Sequence, residues 1–109
     1  MISWSDFEKI EIRVGTVLSA QAFPKAKKPA YQLTIDFGIW GIKKSSAQIT
    51  AHYQTASLIG KQVIAVVNFP PKQIAQFMSD CLVLGVYDDS NEVVLLSPDH
   101  PVTNGCKIG

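Results

Sequence analysis

Charge is scarce in this chain. Of its 109 residues, 17% are Asp, Glu, Lys or Arg, against about a quarter in an ordinary globular domain. A small domain short of charge keeps surface that is neither core nor well solvated, which points to self-association. Cysteine is scarce too. Cys81 and Cys106 form no disulfide framework and no metal-type spacing, so the reading is a cytoplasmic protein with reduced thiols. There is no charged-then-apolar leader at Met1 and no apolar run near membrane-spanning length, so no stable membrane insertion is expected.

Chemistry is missing as well. No glycine-rich phosphate loop and no Gly-x-Ser-x-Gly elbow occurs, which removes the commonest nucleotide and hydrolase signatures. His52 and His100 are far apart, and Cys81 sits in the apolar run Cys81–Leu84 with nothing nearby to lower its pKa. The expectation is a binding protein rather than an enzyme, with no metal and no cofactor.

What is present is β-patterning. Val63 to Val67 is an unbroken apolar run between Gly60 and the Pro70-Pro71 pair. It is short, valine-rich and closed by prolines, hence a buried strand rather than a helix; it is expected at the centre of a small barrel. Ser5-Asp6-Phe7-Glu8 fits a capping box with Ser5 as N-cap. Ile10, Ile12, Val14, Leu18, Ala20 and Ala22 share one parity, predicting a long first strand with Gly15 as its bend or bulge. Tyr31, Leu33, Ile35 and Phe37 alternate as a second strand, and Trp40 and Ile42 lead a third. Residues 47–59 lack proline and glycine, which predicts a short helix. Lys72 to Met78 reads as a connector, Cys81–Tyr87 and Val93–Leu96 as strands around the turn Asp88–Asn91, and the tail from Ser97 as irregular. Three strands, a helix and two more strands is the order of the five-stranded OB-fold barrel. The predicted fold is all-β with short helices: such a barrel over residues 1–109 as one domain, with an N-terminal helical turn and a C-terminal extension.

The charges are unevenly spread. Residues 13–72 carry Arg13 and seven lysines against Asp36 alone, a balance of +7, while residues 1–12 carry −2 and residues 73–109 carry −4. A basic middle attracts anions, though a merely solvated lysine surface reads the same way. The constellation that could bind is Lys43-Lys44-Ser45-Ser46 beside Asn68-Phe69: cations, neutral hydrogen-bonding groups and an aromatic plane. Trp4 and Phe7 share one face of a turn too short to stand alone, so they pack on their own barrel or on a partner subunit.

A family resemblance is carried by Ile12–Val17, Gly41–Ile49 with Ser-Ser-Ala-Gln-Ile, and Lys61–Pro71 with Val-Asn-Phe-Pro-Pro, joined by Leu82–Gly85 and the ending from Val94 to Gly105. On these the chain resembles the tRNA-binding-domain family of dimeric OB-folds, and within it the CsaA-type secretion chaperones. The resemblance implies a homodimer with Trp4 and Phe7 at the interface, no catalysis and no cofactor. It also implies binding of unfolded or presecretory polypeptides, or of tRNA as in the wider family. The implied binding residues are Arg13, Lys43, Lys44, Ser45, Ser46, Gln48, Asn68, Phe69 and Lys72. After Pro71 this chain has Gln73, Gln76, Phe77 and Met78 where more basic residues are expected of relatives, which tilts the reading towards polypeptide.

Overall fold

One long strand, β1 (Ile12–Ala22), is the spine of the molecule. The computed structural model describes residues 1–109. It adds β2 (Tyr31–Asp36), a 3-10 turn (Gly38–Trp40), β3 (Ile42–Ala47), helix α2 (Thr55–Leu58) and β4 (Gln62–Val66). After these come β5 (Lys72–Ile74), β6 (Phe77–Ser79), β7 (Leu82–Val83), β8 (Gly85–Tyr87) and β9 (Val93–Leu95), with helix α1 (Trp4–Glu8) at the start. The main sheet runs β3-β2-β1-β4-β7, and β5-β6 and β8-β9 are separate hairpins. This is an OB-fold barrel with its N-terminal helical turn and C-terminal extension, as the order of apolar runs predicts.

The central strand is therefore β1, and the valine run of β4 lies one place to its side. β4 is nonetheless deeply packed: Val63 and Ala65 are fully buried and Val66 and Val67 nearly so. The core forms where β1, β2 and β4 meet, around Val17, Leu33, Ile35, Phe37, Leu58 and Val63.

Several expectations are corrected. The first-strand parity breaks, because the β1–β2 register shifts between Val17 and Ser19. The extra residue turns Val17 inward and leaves Leu18 exposed, as a bulge does. Gly15 is not that bulge; it pairs in register with Val63. A Cβ there would stand 2.7 Å from Ile35 Cγ2 and from the Phe37 ring, so glycine is needed for close packing. The N-cap is Ser3, not Ser5: Ser3 Oγ accepts from the Asp6 N–H, and the Asp6 carboxylate accepts from the Ser3 N–H. The chain must already leave the helix at Lys9 to enter β1, so the earlier box wins. Trp40 lies in the 3-10 turn rather than in β3.

Residues 47–59 hold only one helical turn, α2. Tyr53 explains this. Its carbonyl accepts from the Tyr31 hydroxyl and its own hydroxyl accepts from the Leu95 N–H, which pins residues 50–54 as a turn and loop rather than a helix. Lys72 to Ser79 is a β-hairpin, not a connector. The tail is ordered too. Val14 N–H donates to the Cys106 carbonyl, Gly105 N–H to Val14 and Ile108 N–H to Ile12. These bonds occupy the edge of β1 that β2, whose pairing starts at Thr16, does not reach.

Candidate functional site

The end strands of the main sheet, β3 and β7, are not laddered to each other, so the barrel has a seam. Its upper part is stitched across by residues 79–81. Asp80 N–H donates to the Lys44 carbonyl at 2.8 Å, Lys44 N–H to Asp80 Oδ1 at 2.6 Å, and Ser46 N–H to Ser79 Oγ at 3.1 Å. Below Ser46 the seam widens into an open groove of about 1040 Å³. Phe69, Ile49, Leu82, Val83 and Tyr87 supply its apolar walls; Ser46, Gln48, Lys28, Lys72 and Glu92 supply polar groups. Phe69 and Tyr87 are 53% and 72% exposed, so two aromatic rings stand ready for an apolar ligand.

The loop carrying Ala51 and the hairpin carrying Tyr87, both lining the groove, are tied by His52 Nε2 and Asp88 Oδ2 at 2.7 Å. The other Asp88 oxygen accepts from the Ser90 and Glu92 N–H groups. The Glu92 backbone donor first, and then His52, hold the Asp88 carboxyl below its ordinary value of 3.8.

Four of the expected binding residues meet in this groove: Ser46, Gln48, Phe69 and Lys72. Ser45 lies in its floor but is only 1% exposed, so it supports rather than presents. Lys43 and Lys44 alternate on β3 and project to opposite faces; neither forms an ion pair, and neither lines the groove. Arg13 is tied up within the chain. It donates to Glu11 Oε2 at 2.7 Å and to the Gly105 carbonyl at 3.2 Å, and its guanidinium lies 4.4 Å from the Trp40 ring centre. Asn68 points elsewhere, accepting from the Glu11 N–H and donating to the Lys9 carbonyl; it fastens the N-terminal segment. Trp4 is 86% exposed and Phe7 half-buried, so Trp4 does not pack on its own barrel. Lys28, Ile49, Leu82 and Tyr87 were not among the expected residues, since only seam geometry brings them together; the one local signal was Tyr87 beside an Asp-Asp turn.

Cys81 is no nucleophile. Burial first, and then the Asp80 charge, push its thiol up to about 12, and its sulfur lies 3.6 Å from the Lys44 carbonyl. Cys106 is exposed. With a colourimetric thiol reagent at pH 8, one equivalent is expected to react quickly in the native protein and the second only in denaturant. Two fast equivalents would refute this placement. No group of three or more His, Cys, Asp or Glu side chains could hold a metal ion, and no helix is long and apolar enough to cross a membrane.

The model of the putative tRNA-binding-domain family matches residues 12–107. The chain belongs to that family. Within it, the structural kinship is with the CsaA chaperones. The crystal structure of chaperone CsaA from Bacillus anthracis superposes with a TM-score of 0.95 at 50% identity, covering 100% of this chain and 99% of that one. The CsaA chaperone protein from Picrophilus torridus gives 0.94 at 54% identity, with both chains fully covered. Similarity also extends to methionine–tRNA ligases, for example 33% identity over 114 residues of the Nanoarchaeum equitans protein. There the match spans 99% of this chain but 14% of the ligase.

Proposed function

We propose that residues 1–109 act as one cytoplasmic, non-enzymatic domain that binds unfolded polypeptide, as a homodimeric export-related chaperone of the CsaA type. The observation that carries this reading is the groove at the barrel seam. Its walls are apolar and aromatic, its polar groups are scattered, and the expected Ser46, Gln48, Phe69 and Lys72 lie on it; that is the lining an unfolded segment wants. Near-full-length similarity to two CsaA chaperones supports it. For the homodimer, the support is the set of large apolar side chains left uncovered on one copy, Ile2, Trp4, Ile39 and Ile42, all more than 60% exposed, which association would cover.

The second reading is tRNA binding, supported by the family match and by the unpaired Lys43 and Lys44, which a two-fold axis would present twice. Arg13, committed to Glu11 and Trp40, contributes least to it. A salt titration separates the readings, run in parallel with tRNA and with a reduced, unfolded model polypeptide. Each phosphate contact adds about −0.7 to −0.9 to the log–log slope. Polypeptide binding that persists in high salt while tRNA stays weak is the expected result. Tight tRNA binding with a slope of several units, abolished by Lys43→Glu with Lys44→Glu, would overturn it.

A further inference from the structure

The outer edge of β3 runs past the end of its stitching with backbone groups unused. On β3 the N–H of Lys44, the carbonyl of Lys44 and the N–H of Ser46 all turn away from β2, towards residues 79 and 80. Alternation along a strand turns the Ser46 carbonyl the same way. β3 ends at Ala47 and the chain bends about Gln48, where the Ile49 N–H donates back to the Ala47 carbonyl. At that bend neither the N–H nor the carbonyl of Gln48 has a partner within the chain, although both Ser46 and Gln48 line the groove. Asp80 and Ser79 thus imitate, with side chains and one backbone amide, the strand that the seam lacks, and the imitation stops where the groove opens.

We propose that an extended segment of client polypeptide docks here as a short added strand, pairing its backbone with Ser46 at the end of the β3 edge and with Gln48 just beyond it. The inference rests on the polypeptide reading above and names its mode of capture. Strand addition explains how one groove takes many sequences, because main-chain bonds give affinity and alternate side chains give only modest preference. It also explains discrimination against folded proteins, whose backbone groups are already paired. One face of the added strand meets Phe69, Ile49 and Leu82. The rim is basic, with Lys28 and Lys72 against Glu92, so by charge complementarity the strand that fits best alternates apolar with acidic residues.

The test uses a synthetic peptide alternating apolar and acidic residues, binding to the full chain followed by fluorescence anisotropy. Single N-methyl groups are walked along its backbone, each removing one amide donor without changing the side chains. Strand pairing predicts a parity pattern. Methylation at the two amides that would meet the Ser46 and Gln48 carbonyls, two residues apart in the peptide, weakens binding about fivefold or more per site, and at the amide between them leaves it within about twofold. In the same complex, amide exchange at Gln48 should slow, and Gln48→Pro, which deletes that donor, should weaken binding while its circular dichroism stays native. If the variant unfolds, the peptide series still decides. Binding that is indifferent to methylation at every position would overturn strand addition and leave polypeptide binding standing. No binding of any unfolded peptide would overturn both.

Discussion

Phe37→Ala is expected to destabilise the protein by about 3–5 kcal/mol, the range for emptying an aromatic site in a closed core. Phe37 is fully buried and its ring closes over Gly15, where even a single added carbon would stand 2.7 Å away. Its main chain is committed as well. The N–H donates to the Gly41 carbonyl, and the carbonyl accepts from the Trp40 N–H, which shapes the turn from β2 into β3. Partial collapse of the cavity is therefore limited by backbone on both sides. A domain with about 5–15 kcal/mol in total would lose a large share of its stability. Urea unfolding should show the midpoint falling with little change in slope. A loss under about 1 kcal/mol would mean that the site relaxes and that the barrel is packed differently here.

Gly38→Ala is expected to have the second-largest effect, on the tail rather than the core. Gly38 sits at φ 64°, and an added Cβ would collide with the Asn104 backbone carbonyl. A left-handed non-glycine residue carries strain of about 1–3 kcal/mol by itself, and the collision adds to it. Asn104 is the buckle of the tail: its Oδ1 accepts from the Thr16 hydroxyl and from Gln62 Nε2. Pushing it away should release Gly105 and Ile108 from β1 and free Arg13 from the Gly105 carbonyl. Native-state hydrogen exchange at the Gly105 and Ile108 amides reports this directly. Unchanged protection at both, in a variant shown to be folded, would refute the buckle.

These sites show what local pattern reveals and what it hides. β2 was readable because Tyr31, Leu33, Ile35 and Phe37 alternate without interruption, and three of the four are fully buried. β1 was only half readable, since a bulge at Leu18 reverses the parity and carries no special residue to announce it. The β5–β6 hairpin was invisible for a related reason. Its two-residue turn is Ala75-Gln76, with Ala75 at φ 53°, a conformation that glycine or asparagine would have signalled. The helix expected over 47–59 is cut to one turn because the bonds that hold Tyr53 in a loop come from Tyr31 and Leu95, both remote in sequence. The site divides the same way. Ser46 and Phe69 lie in segments that read as binding from residue type, while Gln48 and Lys72 were expected only through the family resemblance. Lys28, Ile49 and Tyr87 join them only because the barrel closes where it does. The partners of Arg13 could not be read from its charge, since Glu11 and Trp40 meet it only in the folded barrel.

The stitching of β3 by Ser79 and Asp80 has a consequence for the protein in concentrated solution. A bare strand edge invites copies of the same chain to stack into fibrils, and runs of about six residues suffice to nucleate them. Here the upper edge is occupied by a carboxylate and a hydroxyl, leaving an opening only about as long as Ser46 to Gln48. An opening that short is below the length that nucleates edge-to-edge stacking, so the same stitching that shapes the groove also keeps copies of the chain from polymerising through β3.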